Sequence, residues 1–265
     1  MVTLERRILR IRLNDGAHAE SIKDEVVVED QLELFINNTC YAIFSCTPHE
    51  IKELIVGHLL TEGIISKLEE MKSLEISEGR VDVYLANKTV TRFSEKPQLI
   101  LTSCSSRGLK VPPHLWMKAK VKNNLDFRLK PQTILKALAE LNSHAFVFRR
   151  TGGTHASALL DGEGKLLEFS EDIGRHNAID KVIGKAALDG IKFTRTLLAS
   201  TGRLASEMVI KAASARIPVI VSMAAPTDKG IKMAEITGLT LIGFARGKRF
   251  NVYTNPERIL VNKCL

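Results

Sequence analysis

A chain of 265 residues, 45% hydrophobic and 26% charged, is long enough for one large core or two lobes, and its composition excludes a disordered or fibrous protein. Charges interrupt every apolar run of the N-terminal MVTLERRILRIRLND and no run approaches the ~18 residues of a membrane span, so neither an export signal nor a membrane partner is expected, and the expected location is the cytoplasm. The net charge of +8 favours anionic partners, but the cations are dispersed rather than gathered into a nucleic-acid footprint, and four cysteines without a CxxC pair argue against a disulfide framework or a four-ligand zinc site.

In chain order, the first element is a hairpin. Residues 32–36 and 40–44 flank Asn37-Asn38-Thr39, and asparagine tolerates the positive φ of tight turns. A helix follows, with Thr47 as N-cap, Pro48 in the first helical position, Glu50 completing a capping box and Gly63 closing the C-terminus. Residues 80–85 alternate as a half-buried strand, and 99–101 form a short apolar one. Residues 103–130, with paired prolines, many lysines and Trp116, read as loop and linker. The chain then divides into an N-terminal α+β lobe, 1–130, carrying a mobile cysteine loop near 102–115, and a C-terminal α/β lobe, 131–265.

The second lobe alternates. Helical spacing marks 132–141, a helix containing Ala178, Ile179, Val182, Ile183 and Ala186, then 206–215 and 228–236. Strands are predicted at 145–148, 196–199, 218–222 and 239–244, with a hairpin turning at Asp161-Gly162-Glu163-Gly164. Such alternation predicts a mostly parallel sheet with flanking helices.

Four loops combine glycine with polar groups at element ends: 151–155, 171–177, 201–207 and 244–249. Glycine lets backbone approach a ligand, a following helix N-terminus favours an anion, and Arg175, Arg203, Arg246 and Arg249 offer forked donors. Any one loop reads equally well as turn chemistry with solvated charge; the four together read as a ligand site. His155 and His176 are not expected to bind metal. The zinc deaminases need His-x-Glu and a later Pro-Cys-x-x-Cys, whereas His155-Ala156-Ser157 lacks the glutamate and Ala224-Ala225-Pro226-Thr227 lacks the cysteines.

Cys104 lies in the polar loop Thr102-Ser103-Cys104-Ser105-Ser106-Arg107-Gly108, where Arg107 favours the nucleophilic thiolate, a position suited to carrying sulfur as a persulfide. On residue chemistry alone it is either a reactive thiol or a plain loop residue. Cys40 and Cys46 sit in strand-like apolar runs and read as small buried hydrophobes, and Cys264 is next to last in the chain.

The segments CTPHEIKELIVGHLLTEGII, TGGTHASAL, EDIGRHNAIDKVIG, TGRLASEMVIKAA, IPVIVSMAAPT and GLTLIGFARGKRFNVYT occur in that order between about residues 25 and 254. Taken together they resemble the FdhD family. The resemblance implies a cytidine-deaminase-like core without the deaminase zinc. It also implies a sulfurtransferase that accepts sulfur from a cysteine desulfurase and passes it to the bis-molybdopterin guanine dinucleotide molybdenum cofactor, so that formate dehydrogenase becomes active. By position Cys104 would be the persulfide carrier, and Phe244, Ala245, Arg246, Gly247, Lys248 and Arg249 the cofactor-binding segment. Gly152, His155, Arg175, His176, Asn177 and Arg203 are further lining candidates, and the family implies a homodimer. Many members carry Cys-Gly-x-Cys-Gly in the cysteine loop, where this chain has Arg107 in place of the second cysteine. That substitution keeps open a binding module that holds the cofactor for insertion without covalent sulfur transfer. A deaminase-like nucleotide hydrolase remains the third reading, weakened by its missing zinc ligands.

Overall fold

The computed structural model describes residues 1–86, 98–100, 121 and 127–261; Trp116, Cys264 and the whole cysteine loop with Cys104 lie outside them. Thirteen strands and six α-helices are described, an α/β fold with three sheets.

Strands β1 (Thr3–Leu13) and β2 (Ala17–Val27) form a two-stranded antiparallel ribbon by themselves. Strands β3 (Asp30–Ile36) and β4 (Thr39–Cys46) are the predicted hairpin, turning at Asn37 and Asn38 with φ of 47° and 67°. With β5 (Met71–Ser77), β6 (Arg80–Leu85) and β7 (Gln98–Ile100) they make a five-stranded sheet of order β5-β6-β3-β4-β7. Helix α1 (Ile51–Thr61) covers it, placing Leu54, Ile55 and Leu59 against Leu34, Phe44 and Val81. This helix does not start at Thr47 as predicted. Thr47 instead turns its N–H and hydroxyl to Asp172 Oδ2, both at 3.0 Å, and Glu50, at φ 56°, precedes the first turn. A partner 125 residues away outcompetes the local cap.

Helix α2 (Pro131–His144) leads to a second helix, α3 (Phe146–Thr151), where the sequence predicted a strand. The reason is tertiary: the Glu171 carboxylate accepts the Val147 and Phe148 N–H groups at 3.0 and 2.7 Å, satisfying donors a helix N-terminus leaves orphaned. Then come β8 (His155–Asp161), β9 (Leu166–Asp172), α4 (Arg175–Leu188), β10 (Thr196–Ser200), α5 (Ser206–Ser214), β11 (Val219–Ser222), α6 (Asp228–Thr237), β12 (Thr240–Arg246) and β13 (Arg249–Val252).

These strands form a six-stranded sheet of order β13-β12-β11-β10-β8-β9. It is mixed, not mostly parallel. Helices α5 and α6 carry the chain back for parallel β10, β11 and β12, but tight turns join β8 to β9 and β12 to β13, which forces antiparallel pairing at both flanks. Side chains alternate across it. Leu198, Ile220 and Leu241 meet α4, α5 and α6 on one face, and Leu197, Val219, Val221 and Ile242 meet α2 on the other.

Helices α1 and α4 join the two sheets by glycine against glycine. A Cβ on Gly57 would lie 1.8 Å from Asp180 O, and one on Gly184 would lie 1.9 Å from Glu53 O. Only hydrogen side chains permit that approach. No helix among the described residues is long and apolar enough to cross a membrane.

Candidate functional site

The carboxyl ends of the parallel strands β10, β11 and β12 lie side by side, where open α/β sheets place ligands. The last row of the sheet is a line of hydroxyls: Ser170, Ser157, Ser200 and Ser222 are neighbours in register, each buried. They fasten the loops beyond them. Ser200 Oγ accepts Gly202 N–H (3.1 Å), Ser222 Oγ donates to Gly202 O (2.7 Å), and Ala224 N–H donates to Ser222 Oγ (3.0 Å). Sequence reading missed this row, although LLAS and VIVS are alike in sequence; the strand predicted at 196–199 stops one residue short of Ser200.

Around that row stand several of the predicted site residues. His155 begins β8, its Nδ1 3.2 Å from Thr201 Oγ1. Arg175 opens α4 and lays its aliphatic stem on Gly202, where a Cβ would come within 2.9 Å of Arg175 Cβ. Arg203 is exposed in the same loop. Burial first, then Arg175 and Arg203, hold the His155 imidazole below its ordinary pKa against the opposing pull of Asp172. Phe244 is exposed at the end of β12 with φ 51°, a conformation a bulky side chain rarely adopts, and the β-bulge there is tied down by its N–H on Ala224 O (3.1 Å). Arg246 Nε donates to Met223 O (3.1 Å), so the ends of β11 and β12 are fixed to one another. Beyond it, Gly247 takes φ 59° in the turn that exposes Lys248 and Arg249. The result is a mouth with the half-buried imidazole, buried Arg175 and exposed Arg203 on one side and exposed cations with a presented aromatic ring on the other. Such groups can meet an anionic phosphate and stack on a planar heterocycle.

Other predicted residues turn away from it. Ala245 is buried in the core beneath the sheet. Gly152 caps α3, and its neighbour Gly153 abuts Val27 of the ribbon. Asn177 is buried, its amide donating to Ser45 O (2.8 Å) and Asp172 Oδ1 (2.9 Å). His176 points inward toward Lys211 and Asp180; burial, then the Lys211 and Arg175 cations, depress its pKa to about 3. Asp180 and Lys211 themselves pair at 2.8 Å, with Thr61 and Glu62 of the first lobe completing the group. Asp172 and Lys181 form a second buried pair at 2.7 Å. Much of the GRHNAIDK motif therefore joins the two halves of the chain.

Cys46 is buried and its thiol is pushed up to about 12, mainly by burial, while burial also raises half-buried Cys40. Neither is a thiolate at neutral pH. Among the described residues no three His, Cys, Asp or Glu side chains are grouped to hold a metal ion.

The FdhD/NarQ family model matches residues 27–260, nearly the whole chain. The chain belongs to the FdhD/NarQ family. Its relatives include the sulfur carrier protein FdhD of Methanothermobacter thermautotrophicus, 34% identical over 98% of this chain and 100% of the relative. That of Sulfolobus acidocaldarius is 37% identical over 96% and 98%, and that of Bacillus subtilis 35% identical over 90% and 91%. The crystal structure of a Desulfotalea psychrophila protein, assigned as a formate dehydrogenase accessory protein, superposes with a TM-score of 0.80 at 27% identity, covering 98% of this chain and 100% of that one.

Proposed function

We propose that this FdhD/NarQ chain is a sulfur carrier for the maturation of formate dehydrogenase, with Cys104 as the carrier thiol. The observation that carries the reading is the full-length match to relatives named sulfur carrier protein FdhD. In the first step the Cys104 thiolate attacks the outer sulfur of a cysteine desulfurase persulfide. The donor S–S bond breaks, the desulfurase cysteine leaves as thiolate, and Cys104 holds the persulfide. In the second step that outer sulfur passes to the molybdenum bis-molybdopterin guanine dinucleotide cofactor, which is cargo here, and Cys104 departs as thiolate. To become sulfide the outer sulfur must gain two electrons, which the reduced metal of the cargo would supply. The mouth supports this reading by its chemistry: Arg175, Arg203 and Arg246 suit the cofactor's diphosphates and exposed Phe244 suits a guanine or pterin ring. The protein works in the cytoplasm and pairs with a second copy through the ribbon, whose apolar tip is otherwise bare.

Arg107 in place of a second cysteine favours one competing reading, a chaperone that holds the cofactor without covalent transfer. Intact mass after incubation with a desulfurase and cysteine separates the two. The wild type and Cys264→Ala gain one sulfur atom and Cys104→Ala gains none. An unmodified wild type that still activates formate dehydrogenase would establish the chaperone.

A further inference from the structure

Thr201 follows the last residue of β10, where the chain leaves the sheet. Its N–H still bonds Ala156 O at 3.0 Å, while its hydroxyl oxygen takes the Ala156 N–H, also at 3.0 Å, in place of a backbone carbonyl. That oxygen has one lone pair and one proton left, and His155 Nδ1 lies 3.2 Å away. The ring is therefore held at Nδ1. Its Nε2 makes no hydrogen bond among the described residues and is not one of the sealed polar atoms, so it is open at the mouth.

The charged groups facing the ring come from three elements: Arg175 from α4, Arg203 from the loop after β10, and Asp172 from the end of β9, opposite His155 in register. Asp172 is already engaged by Lys181 (2.7 Å), Thr47 (3.0 Å), Gly174 N–H (2.8 Å) and Asn177 (2.9 Å). Burial acts most strongly on the imidazole, and among the charges Arg175 comes first, opposed by Asp172 and joined by Arg203, so the net direction is down.

We propose that His155, held at Nδ1 by Thr201, takes up one proton from water as an anionic group settles between Arg175 and Arg203, so that anion binding in this mouth is proton-linked. This deepens, and rests on, the reading of the mouth as a phosphate site. An anion there cancels the arginine field and gives Nε2–H an acceptor, both of which favour the imidazolium. Thr201 serves either state. Facing neutral His155 it donates its proton to Nδ1. Facing the imidazolium it accepts Nδ1–H and turns its own proton toward Ala156 O, 3.4 Å away. Serine can do the same; valine cannot.

The sign follows. Without ligand the ring titrates below its ordinary 6.5, and with an anion it titrates higher. Affinity is flat above the bound-state pKa, rises by at most about tenfold per pH unit as pH falls, and levels off below the free-state value.

The test is calorimetric titration with a diguanosine diphosphate over about pH 5–8, the range in which histidine changes charge. Both phosphates of this probe are diesters, so the ligand itself does not titrate there. Comparing buffers of different ionisation heat counts the protons taken up. The wild type and Thr201→Ser should bind more tightly as pH falls and take up a fraction of a proton per site near pH 6. His155→Gln should lose both slope and uptake, and Thr201→Val should diminish them. A wild type that binds with pH-independent affinity, or a His155→Gln variant that keeps the uptake, overturns the proton linkage. No binding by the wild type at any pH overturns the phosphate-site reading, and the linkage with it.

Discussion

His176 sits one residue from Arg175 yet belongs to a different part of the molecule. Its ring lies among Lys211, Asp180 and Glu62, and burial with the neighbouring cations keeps it neutral down to about pH 3. An unfolded chain protonates that histidine near 6.5, so between about 6.5 and 3 the unfolded state binds the extra proton and stability falls as pH falls. Burial alone would raise the Asp180 and Glu62 carboxyls, but Lys211 and His58 together outweigh it and the net direction is down for both. Their contribution is present at neutral pH and is lost only in the acid range, below the ordinary 4.5 of a glutamate. The urea midpoint of the wild type should therefore decline from about pH 6.5, whereas His176→Gln should decline less, keeping the smaller contribution of His155 until the carboxylates titrate. Parallel declines in the two proteins would place the titrating group elsewhere. The sequence marked His176 and Asn177 as site candidates because polar residues beside glycine look alike from either side of a helix. Asn177 reaches Ser45 O, 132 residues away, and the neighbouring pairs His58 with Asp180 and Lys211 with Thr61 span 122 and 150 residues, which no local pattern encodes.

Helix α1 and helix α4 pack backbone against backbone, and the glycines that allow it have no substitute. Gly57→Ala would drive its methyl into Asp180 O at 1.8 Å, and Gly184→Ala into Glu53 O at 1.9 Å. Backbone cannot yield as a flexible side chain can, so each change should cost ~3 kcal/mol or more, the upper end of overpacking. Denaturant unfolding checks this, and a Gly57→Ala protein with the wild-type midpoint would show that the helices separate at little cost. The alternating elements from β10 to β12 were legible because each strand is a short apolar run and each helix carries its own periodicity. Where a distant side chain decided the outcome, the sequence misled. Glu171 turned 146–151 into α3, and Asp172 took Thr47 from its cap. Strands β1 and β2 were not assigned at all, because charges interrupt their apolar positions and no core imprints an alternation on them.

The whole molecule leaves that ribbon projecting from its base, where Arg150 pairs with Glu25. No residue of either strand is fully buried, and Leu9, Ile11 and Leu13 are 64%, 61% and 81% exposed on one face, beside Ala19 and Ala17 in register. Two strands alone are marginally stable in water, so the apolar face calls for a cover, which the proposed second copy supplies. Sedimentation should give twice the chain mass for the wild type and the single-chain mass for Ile11→Glu with Leu13→Glu, changes at exposed positions that leave the two cores intact. A double variant that remains paired would take the interface away from the ribbon. The contact of α1 with α4 has a mechanical consequence for such an assembly. Gly57 and Gly184 leave no slack for sliding or rolling, and the buried pairs of Asp180 with Lys211 and Asp172 with Lys181 pin the same seam from either side. The chain is a stiff frame rather than a pair of jaws. The proposed cargo would therefore enter and leave past the loops at the rim, with the halves of the frame keeping their spacing.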